Sequence, residues 1–150
     1  MTDSAQTFHP SVIYQDDRAA LDWLAKAFGF EVSLIVEDKG RIVHSEMKYR
    51  DALVTVAREF TDATRSPKGL GGKVTQLLHV QVEGDIDAHC ARARAAGAVI
   101  LQEPEDQFYG DRTYRAIDPE GHIWVFAQAI KAMSMAEMEN ASGLTLRETL

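Results

Sequence analysis

Two histidines, His9 and His79, stand seventy residues apart, and the same offset carries Leu53 onto Ile123, Thr55 onto Val125 and Ala57 onto Ala127. Imidazole is the commonest metal ligand and a versatile hydrogen-bonding group, so a histidine recurring at a fixed interval marks a candidate site. The glycines Gly29 and Gly97 recur at 68, a drift of two residues around the intervening helices. Self-similarity over that interval points to one supersecondary unit used twice. Two fused copies would bring equivalent strand positions toward a pseudo-twofold axis, where a site can be assembled from both halves.

Strand alternation selects the side chains that would line it. In the run from Leu77 to Val82, Leu78, Val80 and Val82 are uniformly apolar and should face the helices. His79 then shares the other face with Leu77 and Gln81. By the same parity, Leu53, Thr55, Ala57 and Glu59 oppose Val54 and Val56, while Ile123, Val125 and Ala127 oppose the bulky Trp124 and Phe126. On the first strand His9 lies with Ser11 and Ile13. If the sheets curve, these faces line one concave surface, mostly apolar with two histidines at its centre. That is the make-up of a small-molecule pocket.

The elements that must position these residues are readable in order. The first half reads as a strand over Phe8 to Tyr14 and a helix over Arg18 to Phe28, capped by Asp16 or Asp17 and closed by Gly29. Leu21, Leu24 and Phe28 form the apolar stripe of that helix. Strands over Phe30 to Val36, Ile42 to Lys48 and Leu53 to Glu59 follow. Residues 61–73, with Thr, Ser, Pro and three glycines, read as a flexible linker. The second half repeats the order: a strand over Gln76 to Val82, a helix over Ile86 to Ala96 behind Asp85, and a strand beginning at Ala98. A hairpin of Thr113 to Asp118 and Ile123 to Gln128 turns at Pro119-Glu120-Gly121-His122. The tail, residues 131–150, carries the capping box Ser134-Met135-Ala136-Glu137 and one short Met-bearing helix. That helix packs on the body, bridges a dimer or covers a cavity.

Between Phe108 and Arg112, a glycine separates an aromatic pair from an Asp-Arg pair. Tyr109 and Arg112 are candidate ligand contacts there; the alternative is that Asp111 and Arg112 pin the loop to the sheet. His89 reads as a solvated helix residue, and Cys90 as a buried packing residue that cannot form an intrachain disulfide. A formal charge of −7 without a basic stripe argues against nucleic acid. No signal core or membrane span is evident, which makes the cytoplasm the expected location.

Tyr14-Gln15-Asp16-Asp17-Arg18-Ala19-Ala20-Leu21-Asp22-Trp23-Leu24 through Phe28-Gly29-Phe30, His79-Val80-Gln81-Val82 with Asp85-Ile86-Asp87-Ala88-His89, Phe108-Tyr109-Gly110-Asp111-Arg112, and Asp118-Pro119-Glu120-Gly121-His122-Ile123-Trp124 together resemble one family. It is the vicinal oxygen chelate superfamily, in its glyoxalase/bleomycin-resistance protein-like branch, over roughly residues 8–130. The resemblance implies an α+β fold in one domain: two tandem βαβββ modules, at about 8–60 and 76–130, whose curved mixed sheets enclose a cavity. It also implies a homodimer.

In enzymes of that superfamily a divalent metal is held by a first-strand and a last-strand position from each module. Those positions fall on His9, Thr55, His79 and Val125. The histidines fit the metal pattern; Thr55 and Val125 stand where carboxylates are expected. Zinc sites that do chemistry keep three protein ligands, and non-haem iron oxygenases need two histidines and a carboxylate. Val125 also removes a general base. Glu59 lies roughly 13 Å along its strand from Thr55, too far without a register shift.

The expected function is therefore metal-independent, cofactor-free binding of an aromatic or partly apolar ligand. His9, Thr55, Leu77, His79, Gln81, Tyr109, Arg112 and Val125 are its candidate contacts. The alternative is a glyoxalase-type lyase or isomerase using Zn, Ni, Mn or Fe on His9 and His79, with Glu59, Glu46 or substrate oxygens completing the shell. An extradiol-type dioxygenase fits less well, since the carboxylate of its triad is the group replaced. A third reading is an interaction module with a vestigial cavity and the tail as contact surface.

Overall fold

The computed structural model describes residues 6–150. Its elements run β1 (Ser11–Tyr14), α1 (Asp17–Phe28), β2 (Glu31–Asp38), β3 (Arg41–Tyr49), β4 (Ala52–Arg58), β5 (Leu78–Gln81), α2 (Ile86–Ala95), β6 (Val99–Asp106), β7 (Asp111–Ile117), β8 (Ile123–Ala129) and α3 (Met135–Ser142). The strands form two open four-stranded mixed sheets, ordered β1-β4-β3-β2 and β5-β8-β7-β6. In each, the outermost pair is parallel because a helix crosses between its strands, and the rest is antiparallel. The chain thus contains the βαβββ unit twice.

Local chemistry explains the helices. Of the two aspartates before α1, Asp16 is the cap, its carboxylate accepting from the Ala19 amide. Asp17 is instead buried, and pairs with Arg58 of β4 at 2.9 Å. Gly29 closes α1 in the left-handed region, and Asp85 caps α2. The capping box at Ser134 and Glu137 forms as the sequence predicts.

The helix-facing sides of both sheets share one core. Leu21, Leu24 and Phe28 of α1 meet Val12, Met47 and Val56 of the first sheet and Ile86, Tyr114, Trp124 and Phe126 of the second half. Phe28 is central: its ring lies 4.6 Å from Phe126 and about as close to Trp23, Phe30 and Trp124 as aromatic pairs prefer. The opposite face of each sheet lies outside this core.

Polar contacts then fix how the halves meet. The Asp118 carboxylate, 4% exposed, accepts from the Tyr14 hydroxyl at 2.7 Å, from Trp124 Nε1 at 3.1 Å and from the amides of Glu120 and His122. Beside it, His122 donates Nε2–H to the Ile13 carbonyl, which makes it structural. Glu120 in turn accepts from the Gln15 and Asp16 amides and from the Ser66 hydroxyl.

That last contact corrects the expectation for residues 61–73. Ser66 and Pro67 are buried, and residues 67–70 form a 3-10 turn packed against Gly121. Composition signals turns there, but turns can be fastened as well as free. His89 is a second correction. Helical parity puts it on the polar side of α2, yet that side is covered by the other half. The ring is partly buried, donates Nε2–H to the Phe28 carbonyl at 2.9 Å and accepts at Nδ1 from the Tyr114 hydroxyl at 2.6 Å.

Two predictions follow from these joints. Asp118→Ala strands four donors in the core and is expected to cost about 3 kcal/mol or more, read as a lowered urea midpoint at unchanged slope. Burial, with Arg92 adding repulsion, holds the His89 imidazolium below its ordinary pKa. The unfolded chain therefore binds more protons than the folded one just below pH 6.5 or so. The contribution is complete above that pH and is lost as pH falls toward the depressed folded value. Urea midpoints at pH 7.5 and 5.5 should differ less in His89→Gln than in the parent protein.

Candidate functional site

The register corrects the sequence alignment of the two halves. His79 is the strand partner of Val125 on β8, but the partner of Thr55 on β4 is Ser11, not His9. Ser11 is thus the counterpart of His79, at the offset of 68 already seen in the glycines. The first strand begins at Ser11, two residues after His9, so His9 precedes the sheet. Its side chain still reaches it: His9 Nε2 lies 3.2 Å from Thr55 Oγ1.

The candidate residues divide between two sheets. His9 and Thr55 belong to the first, and His79, Gln81 and Val125 to the second, with Leu77 exposed just ahead of β5. His79 is exposed and makes no hydrogen bond or ion pair with the described residues. Val125 is 4% exposed and forms part of the floor between neighbouring strands. Gln81 extends its amide toward Asp111 at 3.5 Å.

Against the outer face of the first sheet lies a cavity of about 700 Å3, with Ser11, Ile13, His44, Thr55, Ala57 and Glu59 among its walls. Parity in β4 had assigned Thr55, Ala57 and Glu59 to that face. The sequence reading missed how β3 contributes. Glu46 is the cross-strand neighbour of Thr55, and His44 donates Nε2–H to the Glu46 carboxylate at 2.9 Å. The missed signal was alternation again: His44 and Glu46 oppose the buried Ser45 and Met47. A smaller cleft of about 220 Å3 lies where the halves meet, bordered by Leu53, Val54, Leu78, His79, Gln81 and the edge of Trp124.

Arg112 is committed to structure. Its guanidinium bonds Asp87 at 2.9 and 3.0 Å and Asp106 at 2.9 Å, which raises its own pKa and lowers that of Asp87. Of the two sequence readings of this loop, the pinning one describes Arg112. Phe108 and Tyr109 meet edge to face at 5.3 Å and remain partly exposed, available to a ligand. Gly110 holds the turn at φ 96°, and a Cβ there would run into the Lys131 carbonyl and the Met133 side chain. Gly110→Ala is expected to release the tail behind Lys131 and lower the melting temperature by several degrees; an unchanged melting curve would show the approach is not tight.

The residues do not fit a catalytic metal. Among the described residues no three His, Cys, Asp or Glu side chains converge to hold one. Glu59 is taken by Arg65 and the Ser66 amide, so it completes no shell, and Glu46 is taken by His44. Two scattered imidazoles and a threonine hydroxyl supply neither the charge nor the count.

The fold and its repeated unit match known proteins. Residues 6–126 fit the model of the Glyoxalase/Bleomycin resistance protein/Dioxygenase superfamily, and the chain belongs to that family. An uncharacterized protein of Mycobacterium bovis is 29% identical over 137 residues, covering 88% of this chain and 89% of the relative. An uncharacterized protein of Mycobacterium tuberculosis matches at the same identity, over 79% of its own length. Among solved structures, TioX from Micromonospora sp. ML1 is 34% identical with a TM-score of 0.68, covering 83% of this chain and 99% of TioX. A glyoxalase/bleomycin resistance protein/dioxygenase family enzyme from Burkholderia phytofirmans superposes at a TM-score of 0.64 with 15% identity, over 81% and 97% of the two chains, a likeness of fold alone.

Proposed function

We propose that this protein binds an aromatic or partly apolar small molecule without a metal or other cofactor, on the outer faces of its two sheets. The observation that carries the reading is the combination of a 700 Å3 cavity with a polar row that lacks a metal-holding set. The cavity offers Ile13, Val43 and Ala57 for apolar burial, and Thr55 with the His44–Glu46 pair for orientation. The glyoxalase-type alternative needs a free carboxylate beside His9 or His79; Glu46, across from Thr55, is held by His44.

The working form is a homodimer. Every residue of β2 is exposed, including Val32, Leu34, Ile35 and Val36, and Val43 beside them is 59% exposed. An edge strand with that much bare apolar surface invites pairing with another chain, and a second copy is the simplest cover. The site is read as cytoplasmic; no helix among the described residues is long and apolar enough to cross a membrane.

The test is a titration with the neutral dye N-phenyl-1-naphthylamine, followed by its fluorescence with and without EDTA. Saturable binding that EDTA leaves unchanged is expected, and Ala57→Trp, which fills the sheet-one cavity, should weaken it at least tenfold. Absence of saturable binding, or its loss on chelation, would reject the reading. Sedimentation should give twice the 16.7 kDa chain mass, and Leu34→Lys should shift it toward the monomer.

A further inference from the structure

The internal repeat places opposite charges at matching points of the two outer faces. Across the first sheet one row runs Ser11, Thr55, Glu46, Leu34; across the second it runs His79, Val125, Arg115, Gln102. Glu46 has His44 as its partner. Arg115 has none: no carboxylate, hydroxyl or carbonyl among the described residues meets its guanidinium. Arg58 is engaged by Asp17, Arg94 by Glu103 and Arg112 by two aspartates, whereas Arg41, Arg50 and Arg147 are exposed and unpaired among the described residues like Arg115.

The face around Arg115 explains why it stays free. Tyr114 and Ala116 on either side are fully buried in the core, so Arg115 projects to the opposite side, with Val125 directly across from it. Val125, being apolar, offers it no counter-charge. Beyond Val125 stands His79, also without a partner. Strands lie about 4.8 Å apart, so the Cα atoms of His79 and Arg115 flank Val125 at a separation of roughly 10 Å. Both side chains are long enough to meet over it. Ile117 and Ile123, strand partners at the end of the same pair, extend the apolar floor.

We infer that Arg115, with His79, is the anion-recognising element of a ligand site on the outer face of the second sheet, and that the ligand there is an aromatic carboxylate whose carboxyl group lies over Val125. A guanidinium makes two parallel bonds to a planar carboxylate, and an imidazole N–H adds a third. The rings then rest on the half-buried Ile123 and Ile117, where burial supplies binding without specificity. This inference rests on the small-molecule reading above and adds the ligand's charge to it.

Direct titration with 2-naphthoate and with its neutral isostere 2-naphthamide, followed by their own naphthalene fluorescence, tests it, because the two share one apolar body. The acid should bind at about tenfold lower concentration than the amide, and raising KCl from 50 to 500 mM should narrow the gap. Arg115→Gln should abolish the preference while leaving binding of the amide unchanged, and Arg115→Lys should restore part of it. Arg147→Gln, an exposed arginine elsewhere, should leave the gap intact. Equal binding of acid and amide, no binding of the acid, or a gap that survives Arg115→Gln overturns the role of Arg115 while the small-molecule reading stands. Failure of the dye itself to bind overturns the small-molecule reading, and this inference with it. If Arg115→Gln does not fold, the salt dependence in the parent protein decides.

Discussion

A buried carboxylate with no cation beside it holds this molecule together. Asp118 lies in the core and is satisfied by a phenol, an indole and two turn amides drawn from both halves. Four donors aimed at one carboxylate satisfy its oxygens there without a salt bridge. Burial, with the same charge adding to it, raises the Tyr14 pKa and keeps that phenol a donor. Around it the turn at residues 118–122, the 3-10 segment at Pro67 and the end of β1 are drawn into one joint. Since β1 and β8 are outer and inner strands of different sheets, that joint sets how the two sheets sit against each other.

The consequence for function is a division of faces. Helices α1 and α2 and the bulky side of both sheets are spent on a common core, with Phe28 at its centre. The other face of each sheet lies outside that core and carries the proposed recognition surface. On it the repeat has diverged: Thr55 and Glu46 in one half, Val125 and Arg115 in the other. A pair of carboxylates at the last-strand positions would suit a divalent ion. Threonine and valine there instead leave a polar row on one sheet and an unpaired cation on the other, the surfaces proposed to take an organic ligand.

Much of this was legible in the residues. Alternation in β4, β5 and β8 assigned the core and outer faces correctly because those strands are regular and flanked by bulky core residues. Helix caps, the closing glycine Gly29 and the capping box at Ser134 follow from local chemistry and read directly. The register of β1 did not: His9 and His79 share a residue type, but the sheet pairs Ser11 with Thr55, and only the glycine offset of 68 carried that information. His89, Ser66 and Arg112 were misjudged or left open for a common reason. Each is a polar residue whose partner lies far along the chain, and periodicity within one element carries no trace of such a partner. Arg115 escaped notice because its character is the absence of a neighbour.

The central claim is that the outer faces serve organic recognition without a metal. Its most direct test is the metal content of the protein after zinc, nickel, manganese and iron are offered anaerobically and the excess is removed by desalting. The account predicts far less than one equivalent retained of any of the four, and no difference between the parent and His79→Ala. Near-stoichiometric retention that disappears in His79→Ala would contradict it.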